Sequence, residues 1–306
     1  MWLQYSLDAS KAPAYIRLQK EPTMNMTMKM TTRWIGLPLA AALFFAAWAQ
    51  APAGSTQGTA VVHTAESARA VMDRAAVVLP ARVTGGEVFT GLWKDAPASV
   101  RERAPVVVFM HGSSGLALKA IGEWQQWLAT QGIASVAPDS FALPDRLTYK
   151  SPVSAEVYER IHALRQSEVA LAVQALAQAP WADPARWVLA GTSEGATAVA
   201  RYRGNEFAGR IVFSWSCENN YFVASHNTAL PEDKPVLNVI SSTDPFFSPA
   251  NSWVGNPAAA GHCGAALRNH KLASIVLIPG GPHTVINLPA ARHPVAGFLR
   301  DVFKLP

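Results

Sequence analysis

From about residue 76 onward the apolar positions follow two rhythms. Short unbroken runs such as Pro105–Met110, Gly132–Ala137, Arg186–Ala190, Ile211–Trp215, Val236–Ile240 and Ser274–Ile278 have strand length and little polar alternation. That pattern predicts strands covered on both faces. Between them lie stretches with helical spacing, at about 119–131, 154–179, 196–202 and 290–304. In the longest, Val157, Ile161, Leu164 and Leu171 recur at spacings of four, three and seven, which gives one buried stripe. Pro180 and Pro184 stop it. Upstream, residues 77–83 and 87–93 flank Thr84-Gly85-Gly86 and predict an antiparallel hairpin. Strands alternating with helices predict an α/β domain over 76–306, with a mostly parallel sheet and helices on both sides. In such sheets ligands bind at the carboxyl ends of the strands, so the residues just after each strand are the ones to inspect.

The N-terminal quarter reads differently. Lys29 and Arg33 precede an apolar run over residues 34–49, which ends in Ala47-Trp48-Ala49. A short positive region, an apolar core and small residues at a cleavage point describe a secretory signal peptide over 28–49. The run is short for a membrane span and contains Pro38. Residues 1–27 precede it, and Met28 or Met30 is the expected true start. The mature chain is then expected in the periplasm or outside the cell, with no stable membrane insertion; an uncleaved anchor over 34–49 is the alternative. Residues 50–60 read as a flexible linker, within an extension reaching to 75. The net charge of +5 on 306 residues rests partly on residues 1–49. The remainder holds 21 basic against 19 acidic residues, and no basic face is interleaved with aromatics, which argues against nucleic-acid binding. Export makes a disulfide between the two cysteines, Cys217 and Cys263, the expected arrangement, with two separate buried thiols as the alternative.

Candidate chemistry follows the strand ends. Gly191-Thr192-Ser193-Glu194-Gly195 fits G-x-S-x-G, where the serine occupies a sharp strand-to-helix turn and the flanking glycines avoid collisions with neighbouring elements. A serine hydroxyl needs a base to take its proton. His283, in the glycine-rich loop after the last apolar run, is the expected base; His293 and His270 are the rivals. Asp244, just past Val236–Ile240, is the expected acid that orients it. Glu218 is held as an alternative acid or a substrate contact, and Asp139 as a turn cap. The chain order Ser193, Asp244, His283 is the one this fold uses. Backbone N–H groups of Ser113 and Glu194 are the expected oxyanion donors, with His111 structural. Trp215, Glu218, Tyr221, Phe246 and Phe247 are candidate pocket residues, with core packing as the alternative for the aromatics. No H-E-x-x-H, C-x-x-C or strand-linked G-x-G-x-x-G occurs, so neither a metal nor a dinucleotide cofactor is expected.

On HGSSG at 111–115, APDSF at 137–141, AGTSEG at 190–195, STDP at 242–245 and GGPH at 280–283, the chain resembles the α/β-hydrolases. Within them it is similar to secreted dienelactone-hydrolase-like proteins. The resemblance implies a central sheet of about eight strands, no large cap domain and hydrolysis of a small-molecule ester through an acyl-enzyme. Dienelactone hydrolase itself has a cysteine where Ser193 stands, so the implied activity is that of a serine esterase. A peptidase or amidase with the same triad, and a non-catalytic binding protein on this fold, remain the alternatives. The oligomeric state is not readable from the sequence.

Overall fold

The computed structural model describes residues 53–305; the expected leader at 28–49 and the stretch 1–27 lie outside the described residues. Eight strands build the central sheet: β2 (Ala76–Leu79), β3 (Phe89–Leu92), β4 (Ala104–Met110), β5 (Ala134–Ala137), β7 (Ala182–Thr192), β8 (Gly209–Phe213), β9 (Val236–Ser241) and β10 (Ala273–Ile278). They lie in the order β3-β2-β5-β4-β7-β8-β9-β10. All neighbouring pairs from β5 to β10 are parallel, and β2 runs antiparallel to both its neighbours.

Most of the continuous apolar runs are explained by burial on both sides; β10 is the exception, an edge strand that leaves Ile275 and Leu277 exposed. Along β4, Val106, Val108 and Met110 join the core cluster shared with Tyr158, Val169 and Leu176 of helix α4 (Ala155–Leu176). Val107 and Phe109 point the other way. They meet Trp124 and Leu128 of α3 (Lys119–Thr130), and the same cluster holds Val295, Leu299 and Phe303 of α6 (Pro289–Phe303). Side chains alternate across a strand, so a run with helices on each side has no position left for a polar residue.

Two expectations change. The strands β2 and β3 pair antiparallel as expected, but a short helix α2 (Ala81–Thr84) joins them instead of a tight turn. Pro80, at φ −65° just before it, is preset to open a helical turn. Residues 53–75 are packed chain rather than linker. Ser55–Gln57 forms strand β1, antiparallel to β6 (Thr148–Lys150). Helix α1 (Ala65–Asp73) follows, capped by the Thr64 side chain accepting from the Ser67 N–H, with Val71 and Met72 buried. Composition alone reports flexibility here because the partner strand lies about ninety residues away.

Cys217 and Cys263 are joined in a disulfide, 46 residues apart in sequence. Cys263 N–H also donates to Asn238 Oδ1 of β9 (3.0 Å), so the bridge ties the turn after β8 to the neighbouring strand. Closing a loop of that length removes about 4 kcal/mol of chain entropy from the unfolded state. Reduction, or paired replacement by serine, is therefore expected to lower Tm by roughly 10 °C, measurable by thermal unfolding with and without reductant. Unchanged Tm would show that the bridge contributes nothing.

Candidate active site

Strand β7 ends at Thr192 and α5 (Glu194–Arg201) begins two residues later, so Ser193 alone makes the turn. Its backbone sits at φ 54°, ψ −121°, a region that non-glycine residues enter only under strain. The surroundings hold it there: Ser193 N–H donates to Phe213 O of β8 (3.1 Å), and Ser193 O accepts from Ala196 N–H (2.9 Å). A Cβ on Gly191 would lie 2.8 Å from Gly195 O, and one on Gly195 would lie 2.1 Å from Met110 O of β4. The helix therefore presses directly against two strands, with the hydroxyl at the crest and the positive end of α5 beneath it.

Asp244 follows β9 and is fully buried. Its Oδ1 accepts from the N–H groups of Phe246 (2.9 Å) and Phe247 (3.1 Å). Its Oδ2 lies 2.7 Å from His283 Nδ1. With Asp244 ionised, Nδ1 carries the proton and Nε2 is the free ring nitrogen. The imidazole packs between Phe246 and Phe247, at centroid distances of 4.7 and 5.8 Å. The loop behind it is pinned by the Ser214 hydroxyl, which donates to His283 O. Ser193 and His283 both line one cavity of about 170 Å³. No hydrogen bond among the described residues joins the Ser193 hydroxyl to the ring.

The loop after β4 meets the serine from the other side. A Cβ on Gly112 would stand 3.3 Å from Ser193 Cβ, and Ser113 lines the cavity. Glu194 is the first residue of α5, where helix N–H groups have no partner within the helix. His111 holds this loop: Nδ1 donates to Gly112 O (2.7 Å) and Nε2 accepts from Ser140 N–H (3.1 Å). Burial, then the Arg165 charge, push its pKa well below the usual histidine range, so it stays neutral.

Sequence reasoning missed what lies under the serine. The Glu194 carboxylate is buried and ion-paired with Arg146 (2.6 Å) and Arg165 (3.4 Å). Arg165 also pairs with Glu168 (2.5 Å), which accepts from Ser140 Oγ (2.6 Å) and meets His63 Nε2 (3.2 Å). Burial pushes the Glu168 pKa up, but Arg165, followed by His63 and Ser140, hold it down at about 2. The available signal was the charged pair Arg165 and Glu168, set beside Leu164 and Val169 on an otherwise apolar helix stripe. Tyr149 was missed too. It lines the cavity and packs edge-on against Tyr158 at 5.0 Å. Burial, then the Glu194 charge, raise its phenol well above the ordinary tyrosine value.

Of the expected pocket residues, Tyr221, Phe246 and Phe247 line the cavity, as do the unanticipated Phe222 and Leu118. Trp215 does not: it is fully buried and stacks edge-on against Phe247 at 4.9 Å. Glu218 does not either. Its two oxygens accept from Ala260 N–H (2.7 Å) and Gly261 N–H (3.0 Å), and it borders a separate surface hollow. Left-handed backbone at Ser214 (φ 50°) and Cys217 (φ 53°) redirects the chain after β8, so a count from the strand end misplaces both side chains. Asp139 caps a turn, accepting from Phe141 N–H (3.0 Å), and pairs with Arg74 (3.0 Å). His293 lies within α6, and His270 meets Leu230 O (2.9 Å).

A mostly parallel eight-stranded sheet with helices on both faces, carrying a serine on a strained strand-to-helix turn, is an α/β-hydrolase fold. No family model matches the chain, and none of the curated proteins does. Among solved structures the chain is similar to Est1E from Butyrivibrio proteoclasticus, at 16% identity over 75% of this chain and 94% of that one, with a TM-score of 0.45. It is similar to esterase PE8 at 19% identity over 68% of this chain and 96% of that one, TM-score 0.44. It is also similar to a dienelactone hydrolase-like promiscuous phosphotriesterase from metagenomic libraries, at 15% identity over 83% and 99%, TM-score 0.49. These likenesses concern the fold.

Proposed function

We propose that this protein is an exported serine hydrolase that cleaves carboxylic esters. The observation that carries the reading is Ser193, held at a strained turn in the same cavity as an imidazole whose other nitrogen is bonded to a buried carboxylate. In the proposed reaction His283 Nε2 takes the Ser193 proton as Oγ attacks the ester carbonyl. The N–H groups of Ser113 and Glu194 stabilise the resulting oxyanion. Protonated His283 gives its proton to the leaving alcohol, and the acyl group remains on Ser193. Water, deprotonated by His283, then attacks the acyl-enzyme, and His283 returns that proton to Ser193 Oγ as the acid leaves. Asp244 keeps the imidazole in the required tautomer and stabilises its charged form. The disulfide agrees with an oxidising compartment. Mature protein beginning at Gln50 would establish the export reading.

Cavity size constrains the substrate. A cavity of about 170 Å³ is close to one of ~150 Å³ that holds benzene. Acyl groups of up to about six carbons therefore fit within it, and longer chains extend beyond it. On p-nitrophenyl esters, kcat/KM is expected to be highest for short acyl groups and to fall by about tenfold or more for a long chain. A fluorophosphonate is expected to label Ser193 and no other residue. Labelling elsewhere, or no turnover of any ester in the series, would reject the reading. Faster turnover of matched anilides than of esters would turn it into an amidase.

A further inference from the structure

The stretch that composition describes as a linker is seated on the active-site wall. Strand β1 pairs with β6 in the register Ser55↔Lys150, Thr56↔Tyr149 and Gln57↔Thr148. Just beyond it, the N–H groups of Thr59 and Ala60 both donate to Asp145 O (2.9 Å each), and Thr59 Oγ1 donates to Asp145 Oδ2 (2.6 Å). Leu147 N–H returns a bond to Ala60 O (2.9 Å). Asp145 itself is left-handed, at φ 54°, so these bonds hold a conformation its own backbone disfavours. Two glycines allow the close approach. A Cβ on Gly54 would stand 1.9 Å from Pro152 O and 2.4 Å from Lys150 O. One on Gly58 would stand 2.4 Å from Arg146 O and 2.6 Å from Asp145 O.

The segment so clamped, residues 145–152, carries three groups of the site. Arg146 pairs with the Glu194 carboxylate, and Tyr149 and Ser151 line the cavity. Farther along, His63 reaches Glu168, which is bonded to Arg165 in contact with Glu194. We infer that residues 54–63 are a positioning strap for the catalytic site. Its distal half sets the Glu194 amide through Arg146, and its proximal half sets the pocket wall through Tyr149 and Ser151. This rests on the esterase reading above.

The two halves make separable predictions for p-nitrophenyl acetate hydrolysis by the full chain. Gly58→Ala pushes on Asp145 and Arg146, behind an oxyanion donor. It is expected to lower kcat about tenfold, a fraction of the hundred- to thousandfold that follows loss of a donor, with KM within about twofold. Gly54→Ala pushes on residues 150–152 in the pocket wall. It is expected to raise KM by about threefold to tenfold while kcat stays within about twofold. Thr59→Val, which removes only the hydroxyl bond to Asp145, gives a smaller change of the Gly58→Ala kind if that variant fails to fold. Arg82→Ala is the control for general destabilisation: it loses Glu102 and Gly132 O at the opposite end of the sheet. An active wild type whose strap variants keep both constants, or change them only as the control does at equal loss of Tm, overturns the strap. An inactive wild type overturns the esterase reading and the strap with it.

Discussion

Ser193→Ala is expected to lower kcat on a short p-nitrophenyl ester by about a millionfold and to leave Tm nearly unchanged. The reasoning separates the hydroxyl from the backbone that carries it. Alanine keeps the Cβ and therefore the strain at φ 54°, while removing the atom that attacks. Ser193→Gly should be equally inactive but more stable, by on the order of 1 kcal/mol or more, because glycine tolerates that backbone region. Inactivity with unchanged stability in one variant and increased stability in the other points to a turn whose strain serves an exposed nucleophile. Residual turnover within about tenfold of wild type would exclude Ser193 as the nucleophile. Adding His283→Ala to Ser193→Ala should lower kcat little further, since residues acting as a unit are not additive.

Arg146→Ala is expected to destabilise the fold by about 3 kcal/mol, the lower end of the range for breaking a buried ion pair. The Arg146 and Glu194 side chains are 2% and 0% exposed, so removing the cation strands a carboxylate in a dry site. Arg165, 3.4 Å away, compensates in part, which sets the lower end of that range. The double variant Arg146→Met with Glu194→Gln should recover most of the loss, because no unpaired charge is left behind. Urea unfolding measures both; a loss within 0.5 kcal/mol, roughly that of a surface change, would show that the pair contributes little. The same cluster sets the acid limb of stability. Glu168 titrates at about 2 in the folded protein against an ordinary value of 4.5. Its folded value is the lower one, so its contribution, about 3 kcal/mol, is complete above pH 4.5 and drains as the pH falls toward 2. Glu168→Gln should flatten that limb.

The features read correctly from sequence share a local cause. The strands β4, β5, β8 and β9, and the second half of β7, announce themselves as apolar runs because both faces are buried, and burial on both faces is visible in consecutive residues. The glycines around Ser193 are legible because close packing leaves no space for a Cβ. Asp244 and His283 were chosen as candidates from their places after β9 and β10, since parallel strands deliver their carboxyl ends to one rim. They meet at 2.7 Å. Trp215 and Glu218 were assigned by the same rule and went elsewhere, because left-handed residues 214 and 217 bend the chain between strand end and side chain. No run of residue types marks those two positions as left-handed, since neither is glycine.

What the sequence alone determined is the α/β architecture, the serine turn, and the chain order of hydroxyl, carboxylate and imidazole. All three depend on neighbours a few residues apart or on repeated strand–helix units. The tertiary structure alone decided that residues 54–63 lie on residues 145–152, and that Arg146, Arg165, Glu168 and Glu194 share one buried cluster. Apart from Arg165 and Glu168, three residues apart on α4, those pairings join segments tens of residues apart through backbone hydrogen bonds, which any sequence offers, and through charges that look solvent-exposed until the fold closes over them. Local pattern carries no record of such partners, because their energy appears only when distant chain is brought into contact and water is removed.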